Sequence, residues 1–268
     1  MPPISSRYTA KKPDVNGYIA YTQEENQTWQ TLFERQQQII VNRACDEFCE
    51  GVRTLNMTAE HIPQLPEMNS VLSALTGWTV QAVEALIPAE EFFELLSLKR
   101  FPAATFIRAP EELDYLQEPD IFHEFFGHCS LLTHPIYAEF TQNYAIHTLK
   151  ATPADQAYLR RLYWFTIEFG LMQTAAGLRT YGGGILSSKA ETVYAVESPI
   201  PIRRPLGNAL DALRTPYRID ILQPVYYVID SFDELFNVMS KDLVGLIHQA
   251  QDLGDFPAQF DLGGAQSY

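Results

Sequence analysis

The stretch Pro119-Asp120-Ile121-Phe122-His123-Glu124-Phe125-Phe126-Gly127-His128-Cys129-Ser130-Leu131-Leu132 constrains the chain more than any other. It sets two imidazoles and a carboxylate among large apolar side chains, and so many Phe, Ile and Leu belong in an interior. Buried imidazoles and carboxylates must be paired or bound to a metal. The two His are five residues apart, whereas a zinc protease helix spaces them by four. In a regular α-helix five residues turn through about 500°, which would aim the rings roughly 140° apart. Gly127 lets the backbone relax or widen the turn so that both rings can meet one ion.

A third ligand has to come from elsewhere. Glu168 is the only acid in the apolar, aromatic helical run Arg160-Arg161-Leu162-Tyr163-Trp164-Phe165-Thr166-Ile167-Glu168-Phe169-Gly170-Leu171. A lone carboxylate there is costly unless compensated, and a cation is the simplest compensation. Two His and one carboxylate leave positions open on the ion. They match the facial triad of non-haem Fe(II) oxygenases and also some catalytic zinc sites; the spacing and the aromatic setting favour iron. The bland alternative is a His pair capping a helix and a buried Glu bonded to an Arg.

Composition excludes several classes. The 19 basic and 33 acidic residues give a net charge of −14, which disfavours nucleic acid and anionic membrane as partners. No run of 18 apolar residues and no apolar signal core is present. Three cysteines (Cys45, Cys49, Cys129) are too scattered for a disulfide framework, so a cytoplasmic location is expected. Cys45 and Cys49 lie four apart on an expected helix, and packing rather than zinc is their expected role.

The chain is long enough to enclose a cavity, and periodicity predicts a mainly α protein with short β-strands. Residues 1–17 read as a flexible lead, 18–252 as one catalytic domain and 253–268 as a fraying tail. Helices are predicted over 22–52, 68–75, 88–98, from Pro119 through the central motif, over 135–150, over 153–177 and over 231–251. The last is expected to open on a capping box of Ser231 and Glu234. An extended link is expected over 80–87, a strand over 104–108, and one or two strands over 217–229. Gly182-Gly183-Gly184 lacks the Lys-Ser or Lys-Thr of a phosphate loop and reads as a turn whose backbone approaches a ligand or ion.

Four segments, taken together, resemble the pterin-dependent aromatic amino acid hydroxylases. They are Pro119-Asp120-x-x-His123-Glu124-x-x-Gly127-His128; Tyr163-Trp164-Phe165-Thr166-x-Glu168-Phe169-Gly170; Tyr181-Gly-Gly-Gly184-Ile-Leu-Ser187-Ser188; and Gln223-Pro224-x-Tyr226-Tyr227-Val228-x-x-Ser231-Phe232. They fall in the family's order across most of its catalytic domain, and the likeness is to its short bacterial, phenylalanine-hydroxylating members. The resemblance implies a single hydroxylase catalytic domain with iron in an apolar cavity, and His123, His128 and Glu168 as its Fe(II) ligands. It places Phe92, Ile87, Glu124 and Tyr163 around a tetrahydropterin, with Glu124 and Tyr163 nearest the chemistry. It places Arg108 on the substrate carboxylate, a task suited to a guanidinium fork. Pro119, Trp164 and Phe169 become walls around the substrate ring, with Gly184 and Ser187 completing the pocket. Tyr115-Leu116-Gln117 departs from the animal members, which carry threonine at the position of Leu116.

The resemblance further implies L-phenylalanine as substrate, with O2 and the pterin as partners. Tryptophan-preferring relatives carry Phe where Trp164 stands, and tyrosine-preferring relatives carry an acid at Ile219. No regulatory domain and no C-terminal heptad helix can be read, so a monomer or dimer is expected and a coiled-coil tetramer is not. Competing readings are a tyrosine or tryptophan hydroxylase of the same family, a zinc hydrolase with Glu124 as base, and a non-catalytic metal or pterin sensor.

Overall fold

Thr22 starts the first helix: its hydroxyl accepts from the Glu25 N–H and the Glu25 carboxylate accepts from the Thr22 N–H, a reciprocal cap. The computed structural model describes residues 8–116 and 118–260, so Gln117 and the outer parts of the expected lead and tail lie outside the described residues. From Tyr8 onward the lead is tied to the body, with Tyr8 stacked on Phe106 and the Thr105 hydroxyl donating to the Lys11 carbonyl.

The expected helix over 22–52 is two helices, α1 (Gln23–Ile39) and α2 (Asp46–Thr54). Apolar periodicity runs across the break, but Asn42 adopts a left-handed φ of 59°, which Asn tolerates. The freed backbone groups then pair with a distant strand, Cys45 N–H to Thr180 O at 3.0 Å and Thr180 N–H to Arg43 O at 2.7 Å. Next come α3 (Leu65–Leu75), β1 (Thr79–Val83), α4 (Ala89–Ser97) and β2 (Arg100–Ala104), with β1 and β2 parallel. The strand expected over 104–108 therefore ends where it was to begin. Beyond Ala104 the chain stays extended, but its groups bond singly to other segments: Thr105 O to the Tyr21 hydroxyl, Phe106 O to Ile121 N–H and Arg108 N–H to Asp120.

The central motif is a π-helical turn, His123–Cys129, followed by α5 (Pro135–Lys150). α6 (Pro153–Tyr163) runs into a second π-turn, Trp164–Glu168, and ends there, not at 177. Gly170 opens β3 (Gly170–Thr174) because the chain turns hard against its neighbours: a Cβ would lie 2.1 Å from the Tyr181 ring and 2.4 Å from Thr166 O. β4 (Gly177–Thr180), α7 (Gly183–Leu186), α8 (Lys189–Glu197), β5 (Ile202–Pro205), α9 (Leu210–Leu213) and β6 (Val225–Ile229) follow. Of the one or two strands expected over 217–229, only β6 forms. The larger sheet has the order β4-β3-β6-β5, antiparallel only between β3 and β4.

The predicted C-terminal helix divides into α10 (Phe232–Met239) and α11 (Leu243–Leu253), because Asp242 caps α11 by accepting from Gly245 N–H at 3.0 Å. Its expected capping box does not form: Ser231 makes no side-chain cap, and the Glu234 carboxylate accepts from Gly207 N–H and Asp230 N–H.

The apolar core reaches from Ile19 to Ala250 and buries the central motif. Phe126 stacks on Phe122 at 5.0 Å and meets Phe33 of α1 and Phe48 of α2 edge-on at 5.6 and 5.3 Å. Cys45 joins this core and Cys49 packs against it. Among the described residues no helix is long and apolar enough to cross a membrane.

The tightest seam in this packing lies where α2 meets the chain after the motif. A Cβ on Gly51 would sit 2.0 Å from Ser130 O and 2.9 Å from Thr133 Oγ1, with backbone as the obstacle. Gly51→Ala should therefore cost about 1–3 kcal/mol or more through overpacking. A urea titration checks this, and an unchanged midpoint would show that the seam can open.

Candidate active site

Both ligand-bearing segments are π-turns, and this answers the spacing problem posed by the motif. With i→i+5 bonding, a residue five further on lies about one turn away, on the same side. His123 and His128 thus converge, their Nε2 atoms 3.0 Å apart. In the second turn Phe169 N–H reaches back to Trp164 O at 2.8 Å, and Glu168 is delivered to the same point. Its Oε1 lies 3.4 Å from His128 Nε2 and its Oε2 3.8 Å from His123 Nε2. Among the described residues these three form the one group with metal-ligating geometry, their ligand atoms all within 4.8 Å of one another.

The surroundings orient the rings. The Ser187 hydroxyl donates to Gly183 O at 2.9 Å and lies 2.9 Å from His123 Nδ1. Its proton is committed to the carbonyl, so it accepts from Nδ1–H, and His123 turns a bare Nε2 lone pair to the centre. The buried His128 Nδ1 has no hydrogen-bond partner among the described residues. The glycine turn packs directly on the triad: a Cβ on Gly183 would lie 2.4 Å from the His128 ring, and one on Gly182 2.3 Å from Glu168 O. The backbone approach expected of these glycines is thus an approach to the triad's own residues.

Burial, and then the neighbouring His128, pull the His123 pKa down to about 4, which leaves a neutral imidazole at physiological pH. Burial pushes the Glu168 carboxyl up, but the two His and the Gly184 backbone outweigh it and hold it below the usual carboxylate range. Glu124 goes the other way: burial, and then the Glu168 charge, raise it well above that range. Two carboxyls on one site are driven apart, one ionised and one protonated. The neutral His123 imidazole, the His128 ring beside it and a carboxylate, converging in an apolar shell, suit a first-row divalent metal.

Two cavities adjoin the triad. One, of about 350 Å³, is lined by Ile87, Phe92, Glu124 and Tyr163, the four residues expected around a pterin. The other, of about 520 Å³, is lined by Arg108, His123, Phe169, Gly184, Ser187 and Ile219. Pro119, Trp164 and Glu168 line both. Every site residue named from the sequence faces one of these cavities, apart from the buried His128 behind them. Tyr163, partly buried and with its phenol pushed well above the ordinary value by desolvation, stays protonated.

Asp120 was missed. It is wholly buried and grips Arg108 with both oxygens, Oδ2 on Nε and Oδ1 on Nη2, each at 2.8 Å. Oδ1 also accepts from His123 N–H at 3.0 Å, so one carboxylate ties the arginine of the larger cavity to the start of the metal motif. Nη1 of Arg108 makes no hydrogen bond within the described residues, and Arg108 lines the larger cavity. The cost argument that singled out Glu168 applies equally to Asp120 and would have found it. Tyr217, stacked on Trp164 at 4.6 Å, was missed for want of any local signal.

With the geometry in hand, comparison with known proteins gives consistent findings. Residues 4–249 match the family model described as biopterin-dependent aromatic amino acid hydroxylase. Phenylalanine-4-hydroxylase of Pseudomonas aeruginosa is 54% identical over 250 residues, which is 93% of this chain and 95% of that protein. A structure of phenylalanine hydroxylase from Legionella pneumophila superposes with a TM-score of 0.92 at 54% identity, covering 94% of this chain and all of that one. One of the Chromobacterium violaceum enzyme with bound oxidised Fe(III) gives 0.86 at 41%, covering 94% of each chain.

Asp120→Asn would leave the Arg108 guanidinium buried without its counter-charge, at a cost of about 3–5 kcal/mol. Burial raises the Asp120 pKa, but Arg108 outweighs it and the net shift is downward. Its contribution is therefore complete above the ordinary carboxyl value of about 4 and fades as pH falls through the lower folded value. Urea unfolding should separate the two proteins at pH 7 and bring them together only in acid. Equal stabilities at pH 7 would contradict the assignment.

Proposed function

The chain belongs to the biopterin-dependent aromatic amino acid hydroxylases, and we propose that it converts L-phenylalanine to L-tyrosine, with residues 18–252 acting as one catalytic unit. The observation that carries this reading is the pair of cavities meeting on a His-His-Glu triad at a common wall. The donor set fits iron: a bare His123 Nε2 fixed by Ser187, the His128 Nε2 3.0 Å from it, and an ionised Glu168. Fe(II), held by these three, and a tetrahydropterin supply the activation of O2 that the protein's own groups cannot provide.

The chain's part is to bind, orient and exclude water. In the smaller cavity Phe92 offers a ring face to the pterin, and Ile87 closes the apolar floor. Glu124, kept protonated, can donate a hydrogen bond to a ring nitrogen or carbonyl, while the Tyr163 phenol faces the same space. In the larger cavity Arg108, held rigid by Asp120, offers Nη1 to a substrate carboxylate. Pro119, Trp164 and Phe169 bound a slot for the aromatic ring, with Gly184 and Ser187 below it. Ile219 meets the far end of that ring with an apolar side chain, which suits phenylalanine better than tyrosine. A cytoplasmic setting belongs to the same reading, supported by three unpaired cysteines.

The first measurement is tyrosine formed from phenylalanine with a tetrahydropterin in air, in matched tubes holding Fe(II) or zinc. Tyrosine should appear only with iron and only with pterin. Its absence with iron, when tyrosine and tryptophan also give no product, would return weight to a hydrolase or sensor. Two substitutions divide the site. Glu168→Ala should abolish metal retention by elemental analysis; a variant that keeps stoichiometric iron removes Glu168 from the ligand set. Arg108→Lys gives up the planar fork and should raise the KM for phenylalanine roughly tenfold or more, with the pterin KM nearly unchanged. Equal rises in both would contradict the carboxylate role.

A further inference from the structure

The fourth family-like segment, Gln223-Pro224-x-Tyr226-Tyr227, supplies no residue to the chemistry proposed above, yet Gln223 is buried and its amide is fully committed. Oε1 accepts from the Trp164 indole N–H at 2.9 Å. Nε2 donates to Arg218 O at 2.8 Å and to Ile221 O at 2.9 Å. The main chain is pinned as well: Gln223 N–H donates to Glu191 Oε1 at 3.0 Å, and the Tyr226 hydroxyl bonds to the same oxygen. An indole can only donate and a carbonyl can only accept, so only one orientation of the amide serves all three partners.

Those partners lie on two stretches of chain that both line the amino acid cavity. Trp164 lines it together with Glu168, and the Arg218 and Ile221 carbonyls flank Ile219 in the sequence, a residue that lines it as well. The Trp164 indole stacks on Tyr217 at 4.6 Å and meets Phe169, tilted by 32°, at 4.3 Å. Stacking holds a ring at a set height but resists sliding in its own plane only weakly, because offset arrangements are close in energy. The directional N–H bond to Gln223 is the restraint in that plane. The same amide thus holds both the indole and the segment that carries Ile219.

We infer that Gln223 is a specificity-determining positioning residue: by tying Trp164 to the 218–221 segment it sets the width of the slot that receives the substrate ring. The inference rests on the proposed phenylalanine hydroxylation for the identity of that ring. It makes Gln223 act on the amino acid through both Trp164 and Ile219, and on the pterin through Trp164 alone, because Trp164 lines both cavities and Ile219 only the larger.

The test replaces the amide by an apolar chain of similar length, Gln223→Met, in the full-length protein. Indole N–H exchange is followed by NMR, with the Trp164 signal identified by its loss in Trp164→Phe. Calorimetry gives the affinities for L-phenylalanine and for a tetrahydropterin, and steady-state kinetics give KM and kcat for phenylalanine and tryptophan. Trp164 N–H exchange should accelerate at least tenfold, and phenylalanine affinity should fall roughly tenfold while pterin affinity falls clearly less, by about threefold at most. KM for phenylalanine should rise more than kcat falls, and the preference for phenylalanine over tryptophan should shrink about tenfold. In a Trp164→Phe background the same change should weaken phenylalanine binding less than twofold further.

If the Met variant does not fold, Gln223→Glu serves instead. It keeps the acceptor for Trp164 but opposes the Arg218 and Ile221 carbonyls, so phenylalanine affinity should fall while the indole stays protected. Unchanged phenylalanine affinity with a freed indole overturns the inference, as does an equal loss of both ligands, which a general loosening would give. An unmutated protein that hydroxylates no aromatic amino acid overturns the proposed function alone, since the exchange and binding data still decide what Gln223 does.

Discussion

Two imidazole nitrogens 3.0 Å apart and an ionised carboxylate beside them, sunk in an apolar core, are the arrangement on which the rest of the structure depends. Desolvating such groups costs several kcal/mol each unless they find partners, and the protein meets that cost from three separate stretches of chain. Two π-turns bring the three ligands to one point. Ser187, on the segment after the glycine turn, fixes the His123 tautomer. The turn itself lies so close that a single methyl on Gly183 would strike the His128 ring. A backbone without side chains seals the site from behind, and the open side is left to the cavities.

How much of this could be read beforehand depended on whether burial left a mark in the residue pattern. His123, His128 and Glu168 were legible because polar groups in apolar surroundings are conspicuous and their spacing rules out simpler pairings. The widened turn at Gly127 was legible from the same spacing. Arg108, Phe92 and Ser187 have no such signature and came only with the resemblance. The break between α1 and α2 was hidden because the apolar period continues through it, and only the pairing of Cys45 with Thr180 reveals why the chain stops there. β3 was hidden for a related reason, since Leu171 and Met172 form a short apolar run that fits a helix or a strand equally well. At the C-terminus the Ser231–Glu234 pattern was present, but Glu234 had better donors in Gly207 and Asp230. Tertiary partners overrode a local preference in each case.

The Arg108–Asp120 pair shows what a buried ion pair is for in this fold. Such pairs add little net stability against an apolar replacement, though breaking one is costly. What Asp120 contributes is geometry. It presents Arg108 as a fixed fork and also accepts from His123 N–H, so the guanidinium of the larger cavity and the first residue of the triad share one anchor. A shift of the motif would carry Arg108 with it.

Sharing recurs at the wall between the cavities, and there it bears on catalysis. Pro119, Trp164 and Glu168 line the smaller and the larger cavity alike. Trp164 and Glu168 are the first and last residues of one π-turn, so the indole of the shared wall and the carboxylate of the triad move as one body. Holding reactants in a productive geometry can supply a large part of a rate enhancement, and small misplacements are expensive. A wall only one turn of helix long keeps both cavities within reach of the triad. The wider π-turn thus does double duty: it aims Glu168 at the two His and sets Trp164 in the wall that the cavities share.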